Sequence, residues 1–304
     1  MLSILIFIVS FILIWKSADY FVDSSHTLAL KMNLSPMVVG ATVVAFGTSA
    51  PELFVNVFAA LDQESTIIYG NILGSNLANT LLILGAAILL APIIVKRAGF
   101  QQLIANIFFT STLSIILINQ WVNRWVAVAV LVSFFVFYII LVTKSEDNGE
   151  EPHKNGRSVW FLLLIFVGSL IGLVVSAKLM IYSLLQTAEF LGLSTIFLSL
   201  FAVALGTSLP ELVSTIVFVR KGHTDMVIGN VFGSNLFNLM LVLPISWLVF
   251  PLQMPVQLNH ELFLLIATLG GLLIISLLYK QYQRWLSFIL LGLYIGYTCF
   301  IYLR

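Results

Sequence analysis

The feature that most constrains this fold is an internal repeat with a constant offset. Adding 159 to a residue number in the first half gives a matching residue in the second, so that Gly47 corresponds to Gly206 and Glu52 to Glu211. The same register relates Ser17 and Ser176, Ser35 and Ser194, Gly70 and Gly229, Asn71 and Asn230, Ser75 and Ser234, Asn79 and Asn238, and Pro92 and Pro251. No gap is needed, which indicates a duplication and predicts two structurally related halves.

Both halves consist of apolar segments long enough to cross a bilayer. Of the 304 residues, 60% are hydrophobic and only 9% are charged, too few to cover a water-facing surface. Windows of about 20 apolar residues lie at 2–23, 36–60, 69–91, 101–120, 124–143, 158–186, 195–219, 227–250, 260–279 and 285–303. We therefore predict an all-α membrane protein with ten transmembrane helices, five in each half.

An odd number of spans in each half determines how the halves are related. The second half must enter the membrane from the opposite side, so the five-helix repeats are predicted to be inverted about an axis in the membrane plane. Ten of the 14 Lys and Arg residues fall in alternate loops on one side, and cytoplasmic loops carry such an excess. This bias places both termini outside, and we expect a multi-pass protein of a prokaryotic cytoplasmic membrane.

The domain boundaries follow from the one long polar run, KSEDNGEEPHKNGR at residues 144–157. This run is too short to form a folded domain and is predicted to be a cytoplasmic linker. Residues 1–143 then form the first repeat, and residues 158–304 form the second. The net charge of +1 gives no reason to expect a nucleic-acid partner.

Each half carries one polar motif inside an apolar segment. Residues 45–52 read AFGTSAPE and residues 204–211 read ALGTSLPE, and each motif is followed by a GNxxGSNxxN run. A carboxylate at bilayer depth costs about 2.5 to 3.5 kcal/mol on insertion scales. Two such carboxylates, Glu52 and Glu211, bracketed by Ser, Thr and Asn, therefore predict a buried cation site.

The prolines of the motifs predict breaks in the helices. Pro51 has no N–H for the carbonyl of Gly47, so we expect main-chain oxygens between Ala45 and Gly47 to be freed as cation ligands. Pro210 predicts the same for Ala204 to Gly206. Because the polar motifs fall in four windows, helices 2, 3, 7 and 8 are predicted to be interrupted in the membrane.

Helical spacing gathers the polar side chains of each motif. Thr48 and Ser49 precede Glu52 by four and three residues and share its face, and Asn71, Ser75 and Asn79 form a stripe. The set is all oxygen, which selects hard cations and suits Ca²⁺ better than Mg²⁺. The GxxxG patterns at Gly70 and Gly74 and at Gly229 and Gly233 predict close packing of the helices that carry the stripes.

At these residues the chain resembles the sodium/calcium exchangers, the α-repeat family of the cation/Ca²⁺ antiporter superfamily. The resemblance covers both halves and implies alternating access, with three Na⁺ usually exchanged for one Ca²⁺. It implies the following cation ligands: Glu52, Glu211, Thr48, Ser49, Ser75, Asn79, Thr207, Ser208, Ser234, Asn238, and the carbonyls of Ala45 and Ala204.

The resemblance also bears on partners and coupling. It implies Ca²⁺ and Na⁺ as substrates in a lipid bilayer, no organic cofactor, no catalytic residues and no enzyme activity, with a monomer as the working state. The two negative charges of the glutamates balance one Ca²⁺, whereas three Na⁺ carry one positive charge more than one Ca²⁺. Exchange should therefore be electrogenic. Asn238 stands where K⁺-dependent relatives have an aspartate, which argues against K⁺ co-transport.

Three other functions compete with this interpretation. A proton-coupled Ca²⁺ antiporter is the nearest alternative, because buried carboxyls can take up protons in an empty site. A passive cation channel would not concentrate Ca²⁺ at the expense of a Na⁺ gradient. A membrane hydrolase is disfavoured, because the spans contain no pairing of a nucleophile with a histidine and the duplicated stripe has no use in bond cleavage.

Overall fold

A computed structural model describes residues 2–32, 34–118, 123–144, 158–190, 195–250 and 259–303, and this part of the chain is almost entirely helical. The helices are α1 (Leu2–Lys31), α2 (Pro36–Val39), α3 (Ala45–Thr48), α4 (Ala50–Leu61), α5 (Ser65–Leu77), α6 (Leu84–Leu90), α7 (Arg97–Ile118), α8 (Arg124–Lys144), α9 (Val159–Phe190), α10 (Thr195–Arg220), α11 (Thr224–Phe237), α12 (Leu243–Val249), α13 (Asn259–Tyr279) and α14 (Arg284–Leu303). Three wider, π-helical segments cover Gly40–Val44, Ala78–Ile83 and Asn238–Val242.

Within the described ranges, seven continuous helical stretches are long and apolar enough to cross a membrane. An eighth is added when Pro36–Thr48 and Ala50–Leu61, which meet at a bend of 43°, are counted as one span. The prediction of a multi-spanning helical membrane protein is confirmed at this level. Each of the ten predicted windows overlaps a helix or a broken helix, and the ten-span inverted arrangement stays a prediction.

The two stretches that carry the GNxxGSNxxN runs lie in the middle of the bundle. In the apolar windows of Ser65–Leu90 and Thr224–Val249, 83% and 94% of the residues are buried, compared with at most 39% in the other five continuous stretches. Helices that are apolar all round and buried on all sides belong to a core, whereas the others present side chains to lipid. The fold therefore places both polar stripes in the interior.

The predicted interruption is present in the second span, which contains the π-helical segment Gly40–Val44 and the bend after Thr48. The third and eighth spans are continuous helices, but each contains a π-helical segment, Ala78–Ile83 and Asn238–Val242. A π-helical turn shifts the hydrogen-bond register by one residue and commonly occurs at functional sites.

The predicted interruption of the seventh span is wrong. Helix α10 continues from Thr195 to Arg220 with Pro210 inside it. A proline removes a single main-chain hydrogen bond, and membrane helices tolerate this loss where neighbouring groups compensate for it.

Close contact between main chains joins the central helix α11 to the second span. A β-carbon on Gly229 would lie 2.5 Å from the carbonyl oxygen of Met37, and one on Gly233 would lie 2.6 Å from that of Ala41. Only glycine permits this approach, so the close packing predicted from GxxxG is confirmed here. For Gly70 and Gly74, no atom of the described residues lies within 4 Å of that position.

The remaining elements frame this core. Helices α1 and α9, which correspond in the repeat, pack side by side, with the rings of Phe21 and Phe166 stacked at 5.0 Å. A two-residue antiparallel ladder pairs β1 (Ile93–Ile94) with β2 (Gln281–Tyr282) and connects two loops. Of the predicted linker at residues 144–157, the structure describes only Lys144, the last residue of α8. The rest of the linker lies outside the described residues.

Candidate cation site

The two motif glutamates lie in the interior on different kinds of backbone. Glu52 occupies the first turn of α4, a helix that begins directly after Ser49. The ψ of 4° at Ser49 breaks the helix there. Glu211 lies within the continuous helix α10. Each side chain is only 1% exposed. The free N–H groups and positive dipole end of α4 favour a carboxylate at Glu52, whereas Glu211 has no such helix end beside it.

The carboxyl groups are surrounded by hydroxyls, most of which come from the opposite half of the chain. The hydroxyl of Ser49 donates to Oε1 of Glu211 at 3.3 Å, and Thr48 also borders that carboxyl group. The carboxyl group of Glu52 is bordered by Thr207, Ser208 and Ser75. The two GTSxPE motifs therefore face each other and form one cluster.

Several oxygens of this cluster are buried without a hydrogen-bond partner. Within the described part of the chain they belong to both glutamates and to four neutral side chains, namely Glu52 Oε2, Glu211 Oε2, Ser208 Oγ, Ser234 Oγ, Asn79 Oδ1 and Asn238 Oδ1. A buried polar atom without a partner costs about 1 to 3 kcal/mol, so such atoms are rare unless a ligand or water satisfies them. Two of these six oxygens belong to the carboxyl groups and four to neutral side chains of the predicted ligand set, which indicates a place for a cation.

The charge of the cluster leads to the same conclusion. The two carboxyl groups are close enough to repel each other. The ion pairs of the described residues join Lys96 to Asp225 and Lys221 to Asp19 and Asp23, so neither glutamate has a cationic side chain as its partner there. A buried carboxylate requires a compensating charge. A bound metal cation would supply it.

Two further asparagines hold the threonine hydroxyls of the motifs in place. The hydroxyl of Thr207 donates to Oδ1 of Asn71 at 3.3 Å, and that of Thr48 lies 3.3 Å from Oδ1 of Asn230. The amide nitrogens of these asparagines bond in turn to Asn56 at 3.1 Å and to Thr215 at 3.2 Å. All of these pairs obey the offset of 159, so the two halves build the same arrangement.

The carbonyl of Ala45 is not freed as predicted. It accepts the N–H of Ser49 at 3.0 Å, because Pro51 removes the donor for the carbonyl of Gly47 and leaves the donor for Ala45 intact. The hydroxyl of Thr48 lies 3.5 Å from the same carbonyl oxygen as a second donor. Ala204 lies in α10, in a stretch whose side chains the structure does not describe, so its predicted role stays a prediction.

The structure also assigns contacts to residues that the sequence analysis had not selected. Asn76 and Asn235 lie inside the two stripes and bond to the predicted ligands Asn238 and Asn79 of the opposite half. Both asparagines recur at the offset of 159, so the repeat alone could have identified them as candidate residues of the site. Within the described ranges, no group of three or more His, Cys, Asp or Glu could hold a metal, so the predicted cation shell would consist of two carboxylates and neutral oxygens.

Comparison with known families gives a match over almost the whole chain. The profile of the family described as "Sodium/calcium exchanger protein" matches residues 2–144 and 161–303. The matched segments contain all twelve residues of the predicted site.

Individual relatives cover the same extent. The chain is 31% identical to the putative antiporter CaxA of Alkalimonas amylolytica, covering 96% of this chain and 95% of that one. It is 29% identical to the sodium/calcium exchanger MaX1 of Methanosarcina acetivorans, covering 99% and 98%. The fold is similar to a solved structure of the sodium-calcium exchanger NCX_Mj, soaked with 10 mM Na⁺ and zero Ca²⁺, with a TM-score of 0.86, 31% identity and 97% of each chain covered.

Proposed function

This chain belongs to the sodium/calcium exchanger protein family, and on that premise we propose that it is a secondary active antiporter that exchanges Na⁺ for Ca²⁺. The observation that carries the proposal is the burial of Glu52 and Glu211 together with six partnerless oxygens, one from each glutamate and four from neutral side chains of the predicted ligand set. Hard cations prefer oxygen ligands, and a shell of carboxylates, amides and hydroxyls with flexible geometry suits Ca²⁺. Na⁺ would use the same oxygens.

The proposed ligands are the predicted set. The carboxylates of Glu52 and Glu211 supply the charge, and neutral oxygens come from Thr48, Ser49, Ser75, Asn79, Thr207, Ser208, Ser234, Asn238 and the carbonyls of Ala45 and Ala204. Burial of the side chains of both glutamates and the contacts that cross between halves support this set.

Transport would proceed by alternating access between the two halves. We propose ten spans arranged as two inverted repeats, 1–143 and 158–304, joined by a cytoplasmic linker in a prokaryotic cytoplasmic membrane. The repeated contacts at the offset of 159 support symmetric halves, and symmetric halves can exchange conformations around one central site. A monomer is sufficient for this mechanism, because both motifs belong to one chain.

We propose the stoichiometry that the resemblance implies, three Na⁺ for one Ca²⁺, which the charges of the site make electrogenic. Two carboxylates balance one Ca²⁺, so exchange for three Na⁺ moves one net charge outward for each Ca²⁺ taken up. At Asn238 a neutral amide stands where a carboxylate would attract a further cation, which supports exchange without K⁺. We therefore expect Ca²⁺ uptake at full rate in buffers that contain no K⁺.

Voltage dependence tests this stoichiometry. Proteoliposomes loaded with Na⁺ and diluted into Na⁺-free buffer should accumulate ⁴⁵Ca²⁺. An inside-positive potential of 100 mV should raise the limiting ratio of internal to external Ca²⁺ roughly 50-fold, because one charge across 100 mV is worth about 2.3 kcal/mol. Vesicles with equal Na⁺ on both sides, and vesicles without protein, are the controls. Accumulation that is unchanged by the potential would show electroneutral exchange and contradict the proposal.

One observation favours a second candidate, proton-coupled Ca²⁺ antiport. Oε2 of each glutamate is buried without a partner, and a proton can neutralise such a carboxylate as well as a metal ion can. Ca²⁺ uptake driven by an imposed pH gradient in the complete absence of Na⁺ would establish this alternative. Uptake that requires Na⁺ inside the vesicles would exclude it.

A further inference from the structure

Each proposed asparagine ligand has a second asparagine three residues before it in the same stripe. These residues, Asn76 and Asn235, correspond in the repeat and are at most 1% exposed. Both polar atoms of each side chain form hydrogen bonds, whereas the amide oxygens of Asn79 and Asn238 have no partner. These two pairs of asparagines therefore have different roles.

The hydrogen bonds between them cross from one half of the chain to the other. Nδ2 of Asn238 donates to Oδ1 of Asn76 at 3.0 Å, and Nδ2 of Asn79 donates to Oδ1 of Asn235 at 3.0 Å. These bonds determine which edge of each ligand amide faces the cluster. A flipped amide would bring two acceptor oxygens to 3.0 Å and would turn its nitrogen toward the cation.

We propose that Asn76 and Asn235 are positioning residues, which hold the amides of Asn238 and Asn79 so that their oxygens face the transported cation. The inference rests on the proposed function of this site and goes beyond its ligand set. In this proposal the oxygen of each positioning residue accepts the neighbouring ligand amide and is not itself a ligand of the ion. Groups that orient metal ligands in this way commonly change metal affinity about 10- to 100-fold when they are removed.

The positioning residues are themselves fixed by a closed set of bonds. Nδ2 of Asn76 donates to the main-chain oxygen of Asn235 at 3.2 Å, and Nδ2 of Asn235 donates to the hydroxyl of Thr80 at 2.9 Å. That hydroxyl donates to the main-chain oxygen of Asn76 at 2.8 Å. The position of Thr80 is occupied by Leu239 in the second half, so Asn235 has a side-chain anchor whereas Asn76 depends on main chain.

A double-mutant cycle between Asn76→Leu and Asn238→Ala tests the inference. Ca²⁺ affinity is measured on purified protein from the Ca²⁺-dependent rise in the melting temperature, which does not require transport. Asn76→Leu should weaken Ca²⁺ binding about 10- to 100-fold. In the Asn238→Ala background the same change should have an effect of less than about threefold, because the oxygen that it orients is gone. Independent, multiplying effects would overturn the proposal.

Asn106→Leu is the matched control for removing a buried amide. The amide nitrogen of Asn106 bonds to the main-chain oxygen of Phe232 at 3.1 Å, so it also joins helices, and its hydrogen bonds within the described residues go to none of the proposed ligands. Its Ca²⁺ affinity should stay within about threefold of wild type, as expected for a change outside the metal shells. A loss as large as that of Asn76→Leu would show that both changes act through packing and would overturn the proposal.

If Asn76→Leu does not yield folded protein, Thr80→Val tests the other positioning residue, Asn235. The isosteric change removes the acceptor of Nδ2 of Asn235, and Ca²⁺ affinity should fall severalfold, with recovery in Thr80→Ser. Wild-type affinity in Thr80→Val, or loss in both variants, would overturn the role of Asn235.

Wild-type protein that binds Ca²⁺ but does not exchange it for Na⁺ would overturn the proposed function alone. The Ca²⁺ affinities of the variants would still decide whether Asn76 and Asn235 are positioning residues.

Discussion

Glu52→Gln is expected to abolish Na⁺-driven ⁴⁵Ca²⁺ uptake into proteoliposomes, and Glu211→Gln is expected to do the same. Each change keeps the volume of a side chain that is 1% exposed but removes half of the negative charge of the cluster. The remaining carboxylate cannot neutralise a divalent ion. Loss of one partner from a buried charged pair costs about 3 to 5 kcal/mol, which corresponds to at least about 100-fold in affinity.

The chain offers a matched control for this experiment in Glu261. Its carboxyl group is also buried, at 4% exposure, in the membrane helix α13, and its Oε2 likewise has no hydrogen-bond partner in the described part of the chain. None of the contacts around Glu52 and Glu211 involves it. Glu261→Gln should therefore transport Ca²⁺ at close to the wild-type rate. Wild-type uptake by Glu52→Gln or Glu211→Gln would remove that glutamate from the mechanism.

Gly233→Ala is expected to have the second largest effect. The added β-carbon would lie 2.6 Å from the carbonyl oxygen of Ala41 and 2.7 Å from its Cα, both of which are main-chain atoms that cannot rotate away. Helix α11 must then move away from the second span, at a cost of about 1 to 3 kcal/mol or more. Ser234 follows Gly233 directly, so its hydroxyl would move with the helix.

The measurement for Gly233→Ala combines thermal stability with Ca²⁺ uptake. The melting temperature of the purified protein and the Ca²⁺ affinity should both fall. Gly296→Ala is the control, because a β-carbon at Gly296 in α14 meets no atom of the described residues within 4 Å. A Gly233→Ala protein with the stability and affinity of the control would show that the close contact at Ala41 is not required.

The location of the site could be predicted from sequence because the signals were local and duplicated. A carboxylate inside an apolar span, with hydroxyls three and four residues before it, places oxygens on one helical face whatever the tertiary contacts are. The burial of Glu52 and Glu211 follows from the hydrophobicity of their surroundings. The convergence of the two motifs was expected from the repeat, and the contact between Ser49 and Glu211 is consistent with it.

The details of the backbone could not be predicted in the same way. A proline specifies which hydrogen bond is lost, but the neighbouring groups determine whether the helix breaks, as the different behaviour of Pro51 and Pro210 shows. The π-helical segments carry no residue signal of comparable strength. The bonds of Asn76 and Asn235 depend on which helix face meets which, and this information is not contained in either stripe alone.

Equilibrium binding of ⁴⁵Ca²⁺ to the purified protein in detergent is the most direct test of the central claim. We expect one Ca²⁺ per chain, displaced by Na⁺ with a steep concentration dependence, and no binding in the combined Glu52→Gln and Glu211→Gln variant. Binding that Na⁺ does not displace, or that survives in the combined variant, would contradict a shared site for the two ions at these glutamates.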